Sequence, residues 1–129
     1  MPSPHPRRKL AVLTCMDARI EPLSLLGLEV GDAHIIRNAG GLVTDDAIRS
    51  LGASQSMLDT EEIVLVMHED CGLDGGPSEL GGFDDLEATL RDGMERLRAS
   101  EELTARDNVR GFVFDPETGA LRELGGNAV

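Results

Sequence analysis

Two short apolar runs, Leu10–Leu13 and Ile63–Met67, stand out from a chain that elsewhere mixes polar and apolar positions. Uninterrupted apolar stretches rich in β-branched residues are what a strand covered on both faces needs, and such strands belong to parallel sheets. The first strand is read as Lys9–Thr14, and Ala33–Arg37 and Val109–Phe114 supply two more. Asp115–Gly119 has the composition of a turn, after which Ala120–Leu124 is expected to return as an antiparallel edge strand.

Between these runs the period lengthens. Glu21-Pro22 opens a short helix over Leu23, Leu25, Leu26 and Leu28, since proline is tolerated in a first turn, and Gly27 and Gly31 bracket its exit. Thr44 followed by Asp45 and Asp46 is a capped helix start with acids where the macrodipole favours them. That helix is expected to run to Leu58, with Ala47, Ile48, Leu51, Met57 and Leu58 facing a sheet and Gly52 and Ala53 between them. Leu86, Leu90, Met94 and Leu97 predict a third helix within Phe83–Ser100. The glycine-rich stretch Leu73–Gly82 reads as a mobile loop. The alternation gives an α/β domain of three layers over residues 1–129. Its sheet is mainly parallel, about four strands plus the antiparallel edge, and the proline-rich residues 1–8 form a flexible lead-in.

Charge narrows the partners. Acidic residues outnumber basic ones 24 to 12, for a formal net charge of −12. Nucleic acid and anionic membrane surfaces would repel such a chain. No apolar run approaches the ~20 residues of a bilayer span, and Met1–Lys9 lacks the apolar core of a signal peptide. The expectation is a cytoplasmic protein, whose two cysteines are reduced thiols or metal ligands rather than a disulfide.

The two apolar runs end in groups that bind metals. The first leads into Cys15-Met-Asp17-Ala-Arg19, the second into His68-Glu-Asp-Cys71-Gly72. If the strands are neighbours, their carboxyl ends share an edge and Cys15, His68 and Cys71 meet where open α/β sheets bind ligands. Two thiolates and an imidazole suit Zn²⁺ and leave a fourth position for water or for Asp17. Taken singly, both cysteines also fit a buried apolar role, Asp17 a helix cap and Arg19 a surface charge. Glu69 and Asp70 read as solvated loop acids. His34 has nothing to place it with the ligands, and His5 reads as a solvated tail residue.

Cys15-Met-Asp17-Ala-Arg19, His34-Ile-Ile-Arg37-Asn38-Ala39-Gly40 and His68-Glu-Asp-Cys71-Gly72, in this order and separation, resemble the β-class carbonic anhydrases. The resemblance is close over residues 9–72, and Arg110–Asp115 with the Thr118-Gly119 turn is similar to that family's last hairpin. It implies a Rossmann-like sheet, a homodimer or higher homo-oligomer, and zinc on Cys15, His68 and Cys71. It also implies an Asp17–Arg19 dyad beside the metal and a small-molecule substrate, carbon dioxide or bicarbonate.

Asp17 is then expected to accept a hydrogen bond at the reacting oxygen, or to close the site as a fourth ligand, while Arg19 holds it. Asn38, Gly40 and Gly41 are expected to line the substrate pocket. Its apolar wall is expected from Leu42, Val43, Leu73 and Phe83, because the chain has three Phe and no Tyr or Trp. Members of the family usually have a longer helical N-terminal arm. The expected activity is reversible hydration of carbon dioxide. The alternatives are hydrolysis of carbonyl sulfide or carbon disulfide, and a catalytically silent, zinc-stabilised binding module.

Overall fold

The structure, a computed structural model, describes residues 3–124. Five strands form one sheet: β1 (Leu10–Cys15), β2 (Ala33–Asn38), β3 (Glu62–His68), β4 (Val109–Phe114) and β5 (Leu121–Leu124). Their order is β2-β1-β3-β4-β5, parallel except for the final antiparallel pair. β1 is buried at every position and β3 at every position after Glu62, as their unbroken apolar runs require. The hairpin into β5 turns at Gly119, with φ of 78°, whose N–H donates to the Asp115 carbonyl at 2.8 Å.

Three helices connect the strands. α1 (Pro22–Leu26) starts with Glu21 accepting from the Leu23 N–H and stops at Gly27 in the left-handed region. α2 (Asp45–Leu58) is capped by Thr44, whose side chain accepts from the Ala47 N–H. α3 (Leu86–Arg98) begins at the first position of the apolar spacing, where Asp85 caps it through the Ala88 N–H. Phe83 instead lies in a bridge with Asp74 and is buried.

The two sheet faces are covered unequally. Ala11, Leu13, Leu65 and Met67 pack on one side with Ala47, Ile48 and Leu51 of α2 and Leu90, Met94 and Leu97 of α3. Val12, Val64 and Val66 face the other side, where the cover comes from Leu25 and Leu26 of the five-residue α1 and from the adjoining Leu28. Met57, expected on the sheet-facing side of α2, is 74% exposed. The buried places near the helix end belong to Ser54 and Gln55. Gln55 accepts from the Thr104 and Ala105 N–H groups and donates to the Ala105 carbonyl.

Residues 3–8, expected to be flexible, are tied to the body of the protein. Arg7 donates from Nε to Asp32 at 3.0 Å and from its main chain to Gly31. Arg8 N–H donates to the Asp32 carbonyl, and His5 pairs with Asp59 at 3.0 Å. The Leu73–Gly82 loop is folded on itself as well. Gly76 donates to Leu73, Gly82 to Pro77 and Gly75 to Phe83 through main-chain hydrogen bonds.

Candidate metal centre

Because the chain moves from β1 to β2 on one side and later returns to β3 on the other, β1 is where the strand order reverses. The crevice at the carboxyl ends of strands flanking such a switch is the usual ligand site of open α/β sheets. Cys15 is the last residue of β1 and His68 the last of β3, so the register of two buried strands sets their separation. Gly41 supports this edge from beneath. With φ of 66°, it lies so close that a β-carbon would stand 2.9 Å from the Cys15 nitrogen and 3.0 Å from the Thr14 carbonyl carbon.

The three expected ligands come together. Their donor atoms lie within 4.8 Å of one another, and the two sulfurs are 4.0 Å apart. A tetrahedral zinc with Zn–S bonds of about 2.3 Å needs its sulfurs roughly 3.8 Å apart. Cys15 and His68 are each 1% exposed, and Cys71 is the most open at 9%. His68 Nδ1 lies 2.9 Å from the Glu69 carbonyl, which can only accept, so Nδ1 carries the proton and the Nε2 lone pair is free. That Nε2 is buried without a hydrogen-bond partner among the described residues. An orphaned imidazole nitrogen beside two thiols is costly unless an ion occupies the space between them. The residues therefore fit a metal. Burial pushes the Cys71 thiol up from its ordinary pKa, a cost that a bound cation would reverse.

Asp17 stands at the rim, its Oδ2 3.7 Å from His68 Nε2. Arg19 grips it three times: main-chain N–H to Oδ1 at 2.7 Å, Nε to Oδ1 at 3.0 Å and Nη2 to Oδ2 at 2.8 Å. These guanidinium hydrogen bonds hold the Asp17 carboxyl well below the usual range against the opposing effect of burial. The Arg19 main-chain N–H and the Arg19 charge add to the lowering. The carboxylate is thus ionised and acceptor-only, and it is turned toward Arg19.

Sequence reasoning missed two contributors. Arg37 clamps the loop after β1 by donating to the carbonyls of Cys15, Asp17 and Ile20. Asp70, read as a solvated acid, accepts from Arg19. The one available signal for Arg37 was its place in the His34–Gly40 block. The expected pocket residues are occupied locally. Asn38 donates to the Leu42 carbonyl at 2.9 Å and accepts from the Leu42 N–H at 3.0 Å, closing the 3₁₀ turn in which Gly40 and Gly41 are buried. Leu42, Val43 and Leu73 pack half-buried on the main core, beside buried Phe83. His34 lies apart from the ligands, with its ring nitrogens 2.7 Å from Ser54 Oγ and 3.0 Å from the Pro4 carbonyl.

The carbonic anhydrase family model matches residues 10–103. The chain belongs to that family. It is 38% identical over 141 residues to beta-carbonic anhydrase 1 of Mycobacterium tuberculosis, an alignment covering 96% of this chain and 86% of that protein. A carbonic anhydrase structure from Streptococcus mutans, 37% identical, superimposes with a TM-score of 0.85 over 92% of this chain and 82% of the other. The chain is also 54% identical over 66 residues to a carbon disulfide hydrolase from Acidianus sp. strain A1-3, covering 51% of this chain and 32% of that protein. These relatives place this carbonic anhydrase in the β class.

Proposed function

We propose that this β-class carbonic anhydrase hydrates carbon dioxide reversibly to bicarbonate, with zinc held by Cys15, His68 and Cys71. The observation that carries the reading is the orphaned His68 Nε2 facing two buried thiols beside a carboxylate gripped by arginine. Zinc, when bound, would supply hydroxide at neutral pH by lowering the pKa of water.

The chain's own residues supply the rest. The Glu69 carbonyl fixes the His68 tautomer and so aims a lone pair into the site. The Leu73 N–H approaches Cys71 Sγ at 3.5 Å, where it favours the thiolate. Asp17, ionised and acceptor-only, takes the proton side of a hydroxyl at the site's mouth and turns its lone pair toward the carbon under attack. Arg19 holds Asp17 in that station, and its release would free the carboxylate to reach the ligand cluster. Asn38, Gly40 and Gly41 serve the pocket through the shape of their turn. A silent binding module has no use for the gripped carboxylate, which favours the enzyme reading.

Carbon disulfide hydrolysis is the second reading, favoured by the 54% identity over 66 residues to a hydrolase of that substrate. Metal analysis with stopped-flow hydration of carbon dioxide, and sulfide release from carbon disulfide in parallel, tests both. One zinc per chain and rapid hydration are expected. Stoichiometric zinc with sulfide release alone would transfer the assignment to the second reading.

The proposed assembly is a homodimer, supported by the thinly covered sheet face, where Leu26, Leu28, Phe112 and Leu121 line a groove. The small residues of α2 give less support, because that helix buries its apolar side in its own core. No helix among the described residues is long and apolar enough to cross a membrane. Two free cysteines at the centre are consistent with the proposed cytoplasmic setting.

A further inference from the structure

We propose that Asp70 is a positioning residue, whose left-handed backbone conformation presents its main-chain carbonyl to Arg19 and so fixes the guanidinium that holds Asp17. The inference rests on the Asp17–Arg19 pair acting as proposed above.

Asp70 has φ of 55°, one of three non-glycine positive values among the described residues. Aspartate tolerates this region better than most residues, and a β-branched side chain tolerates it poorly. The turn brings the Asp70 carbonyl to 2.8 Å from Arg19 Nη2 and its carboxylate to 3.1 Å from Nη1. Together with Asp17, these contacts engage four of the five guanidinium N–H groups. Arg19 is therefore pinned between its own loop and the turn that runs from His68, at the end of β3, to Cys71.

The two halves of the Asp70 contact differ in kind. Its side chain is 81% exposed, so the ionic half is screened by water. The carbonyl belongs to the main chain between two expected ligands and cannot swing away. When Asp17 leaves Arg19, the guanidinium keeps its Asp70 partners and stays where the carboxylate must return. The conformation of residue 70 thus matters more than its charge.

The test compares Asp70→Asn, Asp70→Gly and Asp70→Val in zinc-loaded protein by zinc content, kcat and KM, and the ¹⁵N NMR signal of Arg19 Nε–H. Asn and Gly both accept the left-handed region and keep the carbonyl in place. Both are expected to stay within about threefold of the parent kcat, the share of a screened ion pair, and to retain a sharp, slowly exchanging Nε–H signal. Val is expected to lose about tenfold or more in kcat at unchanged zinc content and KM, the scale of a lost supporting contact at a metal site, and to lose the protected signal. Val retaining both signal and rate would overturn the proposal. So would Asn or Gly losing the signal, which decides the matter even if Val fails to fold. Failure of the parent to hydrate carbon dioxide would count against the function and leave the NMR result to judge Asp70 independently.

Discussion

The Nε of Arg37 lies 3.0 Å from the main-chain oxygen of Cys15, so a side chain of the edge strand holds the end of its neighbour where the first expected ligand sits. The same guanidinium reaches Asp17 O at 2.8 Å and Ile20 O at 3.3 Å. Three carbonyls within six residues thereby acquire one donor group. Replacing it in Arg37→Met is expected to lower stability by about 1–3 kcal/mol, the cost of stranding such acceptors. The kcat should fall about tenfold while zinc is retained. Urea denaturation and steady-state kinetics check this, and unchanged values of both would remove Arg37 from the support of the site.

Cys71→Ser tests the ligand set. A hydroxyl is a poor zinc ligand, and thiolate ligation couples metal binding to folding. Zinc content should drop well below one per chain and thermal stability should fall with it. Full occupancy at parental stability would mean that the metal sits elsewhere.

Asp17→Asn and Arg19→Ala test the dyad. Neither removes a Cys or His donor, so both variants should keep their zinc. Each should lose about 10–100-fold in kcat, the range for residues that orient metal-site chemistry. Hydration at parental rates by both variants would reduce the pair to a surface salt bridge.

Asp32 sets a pH dependence away from the site. It is 8% exposed. The Glu29 N–H holds its carboxyl below the usual range, burial opposes, and Arg7 assists. A folded pKa below the unfolded value of about 3.9 gives stability that is complete above that pH and lost as pH falls through the folded pKa. The melting temperature of Asp32→Asn should therefore trail the parent's by a constant amount between pH 5 and 8. The gap should narrow below about pH 4. A gap that stayed constant into acid would mean the carboxylate charge contributes nothing.

The parts of this molecule written as long-range pattern were readable in the chain. The buried runs at Leu10–Leu13 and Ile63–Met67 announced a parallel sheet, and their final residues announced a site at its edge, because a strand fixes direction and period together. What escaped depended on where the backbone turns. Nothing local distinguishes Asp70 from its exposed neighbour Glu69 until a positive φ brings its carbonyl to Arg19. Met57 reads as a buried position for its apolar side chain, yet it lies inside α2 on the exposed side, and the polar Ser54 and Gln55 hold the buried positions of that last stretch. The proline-rich start looked loose because its anchors, Gly31 and Asp32, lie more than twenty residues away.

Gly40 and Gly81 meet so closely that a β-carbon on either would fall 2.6 Å from a main-chain oxygen, of Gly81 in one case and Ala39 in the other. Evolution and the protein engineer inherit the same restriction: the turn after β2 and the loop after Cys71 are a matched pair, and a loop grafted from a relative must bring a glycine to this contact or displace its host turn.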